Sequence, residues 1–301
     1  MSTSSKNLKH GSFRVWMMAA RIPTLPAAIA PVIVGTAMAH YMYSFDLVIT
    51  VLAMFGAITI QIGANMANDF SDFRKGADND ERIGPIRVTQ QGLLSEKEIL
   101  VGASISFGVS TLIGLYFFYI VGWPILVIGA LSLLAAVTYT GGPWPFGYKG
   151  LGDLFVFIFF GLIAVCATFY VQVQTINIEI ILLSIPIACL VTAILIVNNI
   201  RDIETDRRSK KYTLAVYFGL TFAKCEYIVL LVVAYITPLV LIFLGILPLF
   251  TLIFFLSFPL CIKPVMAVLY RQNGPSLNSA LKGTALVHLS FAILISVGLF
   301  W

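Results

Sequence analysis

Nine apolar runs, each close to the length of a membrane-crossing helix, constrain this chain more than any other feature. They cover residues 25–45, 47–69, 98–120, 124–141, 154–173, 178–200, 224–245, 247–269 and 283–301. About 20 mostly apolar residues make a helix that crosses about 30 Å of hydrocarbon. The runs are too long for strands and lack polar/apolar alternation, and lipid admits only helices or closed barrels. The expectation is therefore an all-α polytopic membrane protein, with nine transmembrane helices in one bundle and a single domain over 1–301. Pro31, Gly35, Pro186 and Pro238 fall inside runs, where membrane helices tolerate them. Composition sets the exclusions. Of 301 residues, 59% are hydrophobic and 11% charged, against about 25% charged in a soluble domain. A soluble enzyme, a disordered chain and a nucleic-acid-binding module are excluded. The expected partner is the lipid bilayer, not nucleic acid.

The remaining punctuation is sparse. Residues 1–12 are polar and slightly basic, with no cleavable signal. Cys166, Cys189, Cys225 and Cys261 form no CxxC, and all four lie in apolar runs, so they read as small buried hydrophobes. The connections 70–97 and 201–223 are long and polar, 142–153 is rich in Gly and Pro, and 270–282 is short and polar. Alternating the nine runs across a bilayer puts all 19 Lys and Arg on one side, with Lys263 inside the end of its run, and leaves Asp46 and Glu179 on the other. The positive-inside rule then predicts a cytoplasmic N-terminus and cytoplasmic polar loops.

Two acidic clusters mark the cytoplasmic ends of runs. One is Asn65-Met-Ala-Asn68-Asp69-Phe-Ser-Asp72, continuing to Asp78; the other is Asn198-Asn199-Ile-Arg201-Asp202-Ile-Glu204-Thr-Asp206. At about 100° per residue, Asn65, Asn68, Asp69 and Asp72 share one helix face, and so do Asn198, Asn199, Asp202 and Asp206. A carboxylate near hydrocarbon costs on the order of 3 kcal/mol. Such stripes are expected to face a polar cavity and hold a counter-ion. Hard oxygen ligands without His or Cys suit Mg²⁺, which one or two carboxylates hold together with substrate phosphates. Arg and Lys around both stripes would bind the remaining phosphate oxygens. With an apolar cavity behind it, the expected ligand is a prenyl diphosphate.

These motifs resemble those of the UbiA superfamily of intramembrane prenyltransferases, and the sequence is most similar to its 1,4-dihydroxy-2-naphthoate polyprenyltransferase branch. Beside the two acidic motifs, the resemblance rests on Arg21-Ile-Pro-Thr-Leu-Pro-Ala, Lys75-Gly76-Ala-Asp78, Arg82-Ile-Gly-Pro-Ile-Arg87 and Gln91-Gly92. It continues through Tyr139-Thr-Gly-Gly-Pro, Gly147-Tyr148-Lys-Gly-Leu-Gly-Asp153, Phe159-Phe-Gly161, Asp206-Arg207 and Thr213-Leu-Ala. Two departures are visible. The superfamily's third Asp is Gly76 here, with Asp78 two residues on, a spacing the naphthoate branch shares. The branch usually has Gly-Lys before Thr-Leu, where this chain has Lys210-Lys211-Tyr212.

The resemblance implies Mg-dependent transfer of a polyprenyl group from polyprenyl diphosphate to 1,4-dihydroxy-2-naphthoate, with loss of diphosphate and CO₂, as in menaquinone biosynthesis. It implies a bacterial inner membrane and a cytoplasm-facing site. It implies two Mg²⁺ held by Asn68, Asp72, Asp202 and Asp206, with Asp69, Asp78 and Asn199 beside them. Candidate contacts for diphosphate and carboxylate are Arg21, Arg74, Lys75, Arg82, Arg87, Lys149, Arg201 and Lys211. Tyr139 and Tyr148 are candidates to shield an allylic cation by their π faces. Asp72, Asp202, Asp206 and Tyr139 are the expected catalytic residues. Asp153 reads as a helix N-cap, and His10, His40 and His288 as incidental. Alternatives are prenyl or phytyl transfer to another aromatic acceptor of the phylloquinone, 4-hydroxybenzoate or homogentisate type, and a cation-coupled transporter.

Overall fold

A computed structural model describes residues 9–43, 45–76, 84, 87–271 and 274–301. Asp78 and Arg82 lie outside the described residues. The described residues form helices α1 Phe13–Ala20, α2 Pro26–Met42, α3 Leu47–Arg74, α4 Glu96–Val121, α5 Trp123–Thr138, α6 Gly152–Val156, α7 Ala164–Val173, α8 Ile178–Arg208, α9 Leu214–Phe243, α10 Ile262–Tyr270 and α11 Gly274–Leu299. A π-helical segment, Phe157–Ile163, fuses α6 to α7, and a 3₁₀ segment, Leu249–Cys261, leads into α10.

Every expected run meets a helical rod, but length sorts the rods. Among the described residues, seven are long and apolar enough to span: α3, α4, Gly152–Val173, α8, α9, Leu249–Tyr270 and α11. The pair Phe13–Thr24 and Pro26–Met42, bent by 54°, makes an eighth if counted as one span. The ninth candidate, α5, has 16 residues and is too short to qualify by length. The chain is an integral membrane protein.

Helix ends differ most from expectation. The connection expected over 201–223 is mostly helix: α8 runs through Asp202 and Asp206 to Arg208, and α9 starts at Leu214. Thr213 caps α9 by accepting from the Val216 N–H. The conformational break falls inside α9, at Gly219 with φ 87°. Likewise α11 begins at Gly274, well before 283. Apolar counting ends a helix where polarity begins, whereas the backbone continues as long as its hydrogen bonds do. Ser95 and Glu98 form a capping box that starts α4. Asp46 caps α3 from the opposite end of the bundle.

The largest core is built by α2, α7, α8, α9 and α11, around Phe169, Ile187, Leu190, Tyr227, Phe291 and Ile295. Helix α8 is its pillar: 72% of its apolar window is buried, against 17% for α4. Gly161 explains how the π segment reaches α8, since a Cβ there would fall 2.1 Å from the Ala188 Cβ. Helix α1, which the sequence reading did not anticipate, tucks Val15 and Ala19 into a second cluster with Met66, Val88, Leu94, Ile99 and Ala103. That cluster anchors both α1 and the 87–94 turn beside the acidic end of α3.

Candidate active site

A cavity of about 420 Å³ opens between the acidic ends of α3 and α8 and runs down between α2, α3, α4, α5 and the π segment. Its mouth is polar: Arg21, Asn68, Asp72, Arg87, Asp202 and Lys211 line it. Its depth is apolar, ending on Phe117, Ile125 and Val171. Along α3 the lining extends from Ala53 to Asp72, 19 residues at 1.5 Å each, or about 28 Å.

Three of the four residues on the α3 face divide between the site and its scaffold. Asn65 donates to the Ala20 carbonyl at 2.9 Å and to Thr24 at 3.0 Å, which pins the α1–α2 bend to α3. Asn68 accepts from Thr140 Oγ1 at 2.8 Å. Asp72 accepts from Tyr148 Oη at 2.8 Å and pairs with Arg87 at 3.3 Å. Asp69 is buried and faces Arg21, Thr89 and Val88 outside the cavity lining. Arg21 itself sits in the left-handed region, φ 52° and ψ 57°, as the C-cap of α1, and this turn aims it at the mouth.

On α8, Arg201 binds Asp202 through Nε at 2.8 Å and is held by Asn198 Oδ1 at 2.7 Å and Asn278 Oδ1 at 2.8 Å. Asn199 turns away from the cavity and donates to Asp153 at 3.1 Å. Lys211 approaches Asp206 at 3.4 Å with its side chain 14% exposed. Its ammonium also interacts with Asp72, Asp202 and Tyr139, so the two stripes face one another across it. Burial alone would lower the Lys211 pKa; the surrounding acids raise it above the ordinary lysine value. Lys75 shows the opposite balance. Burial depresses it, Asp72 opposes this, and its ammonium reaches the Thr140 carbonyl and the Tyr148 ring.

Tyr139 lines the cavity, with its ring edge-on to Phe146 at 5.4 Å between centroids. Two candidates lie apart. Arg74 pairs with Glu96 at 2.7 Å on the exposed rim, and Lys149 is exposed on its loop. Both nitrogens of buried His288 lack a partner, away from the cavity lining. Sequence reasoning missed Thr140, Thr24, Gln61 and Asn278. Thr140 and Thr24 had a cue, since each lies in a quoted motif, beside Tyr139 and three residues after Arg21.

The donor set suits a hard cation. Asp206 Oδ2, beside Lys211, is a buried oxygen without a hydrogen-bond partner, an arrangement that is costly unless a cation or donor arrives. Among the described residues, no three His, Cys, Asp or Glu side chains form a ready-made metal cage. A cation here would share its shell with ligand oxygens, as Mg²⁺ does with phosphates.

A profile described as the UbiA prenyltransferase family matches residues 28–293. A protein of Haemophilus influenzae named 1,4-dihydroxy-2-naphthoate octaprenyltransferase is 35% identical over 303 residues, covering 98% of each chain. Among solved structures, a UbiA homolog from Aeropyrum pernix K1 superposes with a TM-score of 0.68 at 16% identity, covering 91% of this chain and 96% of that one. A UbiA homolog from Archaeoglobus fulgidus, bound to DMAPP and Mg²⁺, gives 0.59 at 16% identity, covering 94% of this chain and 99% of that one.

Proposed function

This chain belongs to the UbiA prenyltransferase family, and from that premise we propose that it transfers a polyprenyl group from polyprenyl diphosphate to 1,4-dihydroxy-2-naphthoate. Diphosphate and CO₂ leave, and the product is demethylmenaquinol, an intermediate of menaquinone biosynthesis. The observation that carries this reading is a pair of facing carboxylate stripes at the mouth of a long apolar cavity. The relative's name supplies the acceptor.

Asn68, Asp72, Asp202 and Asp206 would hold Mg²⁺, two ions in our reading, with Asp78 a further candidate; Asp69, which faces Arg21, and Asn199, held by Asp153, lie off the cavity and are not assigned to it. Bound Mg²⁺ neutralises charge on the diphosphate leaving group. Lys211, Arg87 and Lys75 hold phosphate oxygens, and Arg21 or a neighbouring cation holds the acceptor carboxylate. The bond from prenyl C1 to the bridging oxygen breaks, and its electron pair leaves with diphosphate. The Tyr139 ring shields the allylic cation, and the apolar walls exclude water, so the electron-rich naphthoate carbon attacks instead. A new C–C bond forms there, CO₂ departs, and the pair it leaves behind restores the aromatic ring. No nucleophilic side chain is required.

Our reading also takes nine spans with a cytoplasmic N-terminus, which would put this site at the cytoplasmic face of a bacterial inner membrane. Support comes from the segregation of Lys and Arg and from α5 completing the alternation of rods. The test is an acceptor competition on purified protein in detergent with Mg²⁺, using one labelled prenyl diphosphate with dihydroxynaphthoate and 4-hydroxybenzoate together. Prenylated naphthoquinol with CO₂ release is expected, abolished by chelation. Prenylated hydroxybenzoate without CO₂ would overturn the acceptor and keep the cation site.

A further inference from the structure

Three glycines from three helices meet the cavity at one depth. The hydrogen bond between Asn68 and Thr140 gives a common reference level near the mouth. Counting down α3 from Asn68 to Gly56 gives 12 residues, or about 18 Å; counting along α5 from Thr140 to Gly129 gives 11, or about 17 Å. Gly114 on α4 lies 7 residues before Val121, and Gly129 lies 6 after Trp123, so the two are level across the α4–α5 hairpin. All three line the cavity.

They are not equivalent. A Cβ on Gly56 would meet Ile113 at 3.4 Å, whereas one on Gly114 or Gly129 would meet nothing within 4 Å. The space beside Gly114 and Gly129 is cavity. The α5 face that carries Gly129 continues through Ser132, Ala135 and Ala136 toward Tyr139, all small residues on the lining. Below this level, Phe117, Ile125 and Val171 are buried together in a packed cluster that closes the floor.

Resting on the prenyl-transfer reading, we infer that Gly114 and Gly129 determine the length of prenyl chain the cavity admits. Their missing side chains leave open a level of the cavity that long chains reach and short ones do not. A geranyl group has eight main-chain carbons, about 10 Å at roughly 1.2 Å per bond of an extended chain. It ends above the glycines. An octaprenyl group has 32, about 38 Å on the same measure, and reaches their level.

The experiment compares wild type, Gly129→Phe and Gly114→Phe as purified protein, each with Mg²⁺ and either geranyl or octaprenyl diphosphate. Two readouts are taken: transfer to dihydroxynaphthoate and the rise in melting temperature on adding the diphosphate alone. Gly129→Ala and Gly114→Ala, whose Cβ meets open space, supply the folded baseline. Leu134→Phe places the same ring on the lipid-facing side of α5, where Leu134 is 58% exposed. Each glycine-to-Phe variant is expected to lower the octaprenyl-to-geranyl transfer ratio at least tenfold and to lose only the octaprenyl-induced rise in melting temperature. Leu134→Phe is expected to leave the ratio unchanged. An unchanged ratio in both Phe variants, or equal loss with the two substrates, overturns the inference. If neither diphosphate shifts the melting temperature of wild type, the prenyl-transfer reading itself falls, and the inference with it.

Discussion

Asp202 on α8 finds its cation one residue away, in Arg201, whereas Asp72 on α3 finds its cation 15 residues on, in Arg87. Arg201 is 1% exposed and braced by Asn198 and Asn278, so Asp202 is neutralised within the most buried helix of the bundle, while Asp206 at its end draws Lys211 from the turn that follows. The α3 stripe is served by groups brought from turns: Arg87, from the segment anchored by Val88 and Leu94, neutralises Asp72, and Tyr148, from the loop after α5, donates a hydrogen bond to it. One half of the site is thus part of the scaffold, and the other is assembled on it. Fixed groups position a ligand precisely at no ordering cost at the moment of reaction. Groups on turns can close over a ligand and release it.

The sharpest way to break this contrast is to remove the two arginines. Arg201→Met leaves Asp202 buried and unpaired, which is expected to destabilise the fold by about 3–5 kcal/mol. Arg87→Met is expected to cost clearly less stability while still weakening transfer. Melting in detergent and transfer rate, read together, decide it; equal destabilisation would erase the distinction. Next, Asp72→Asn and Asp206→Asn are each expected to lower transfer by about 10²–10³-fold, the scale for removing one group that stabilises developing charge. The two losses should match if both stripes serve one leaving group, and a loss confined to one stripe would refute the shared site. Tyr148→Phe removes one hydrogen bond to Asp72, and about a tenfold loss in transfer with little change in melting is expected, the lower end for a partner that orients a ligand residue. The smallest effect concerns Lys210, at φ 57°. Lys210→Gly relieves a left-handed backbone and is expected to stabilise the protein by up to about 1 kcal/mol, with transfer unchanged.

Lys210 also shows how far the sequence could be read. Its place in the motif, where the branch it resembles usually has Gly-Lys, left the turn undetermined; Lys210 adopts a positive φ, which glycine favours, and Lys211 reaches Asp206. The stripes were legible because helical period alone puts Asn68 and Asp72, or Asp202 and Asp206, on one face. Asn199 shares that face by angle, but its amide is taken by Asp153 from α6, a contact no period encodes. Asn278 reaches Arg201 across 77 residues, and Thr140 reaches Asn68 across 72. Such partners depend on how rods pack, not on local spacing. The missed α1 has a local cause. Its eight residues are too few to stand out beside runs of membrane length, and its burial depends on a cluster shared with α3, α4 and the 87–94 turn.

The 3₁₀ segment Leu249–Cys261 has a consequence for hydrophobic matching. Its 13 residues rise about 2.0 Å each instead of 1.5 Å. They therefore cover about 26 Å, where an α-helix of the same residues would cover about 20 Å. Winding this stretch more tightly about its axis makes a longer, thinner rod, and the slimmer profile lets α11 lie close enough that a Cβ on Gly298 would fall 2.4 Å from the Thr251 Cα. With the nine residues of α10 at 1.5 Å each, the rod reaches about 40 Å, more than the roughly 30 Å of hydrocarbon. The surplus lets this rod tilt across the bilayer without drawing its polar ends into lipid.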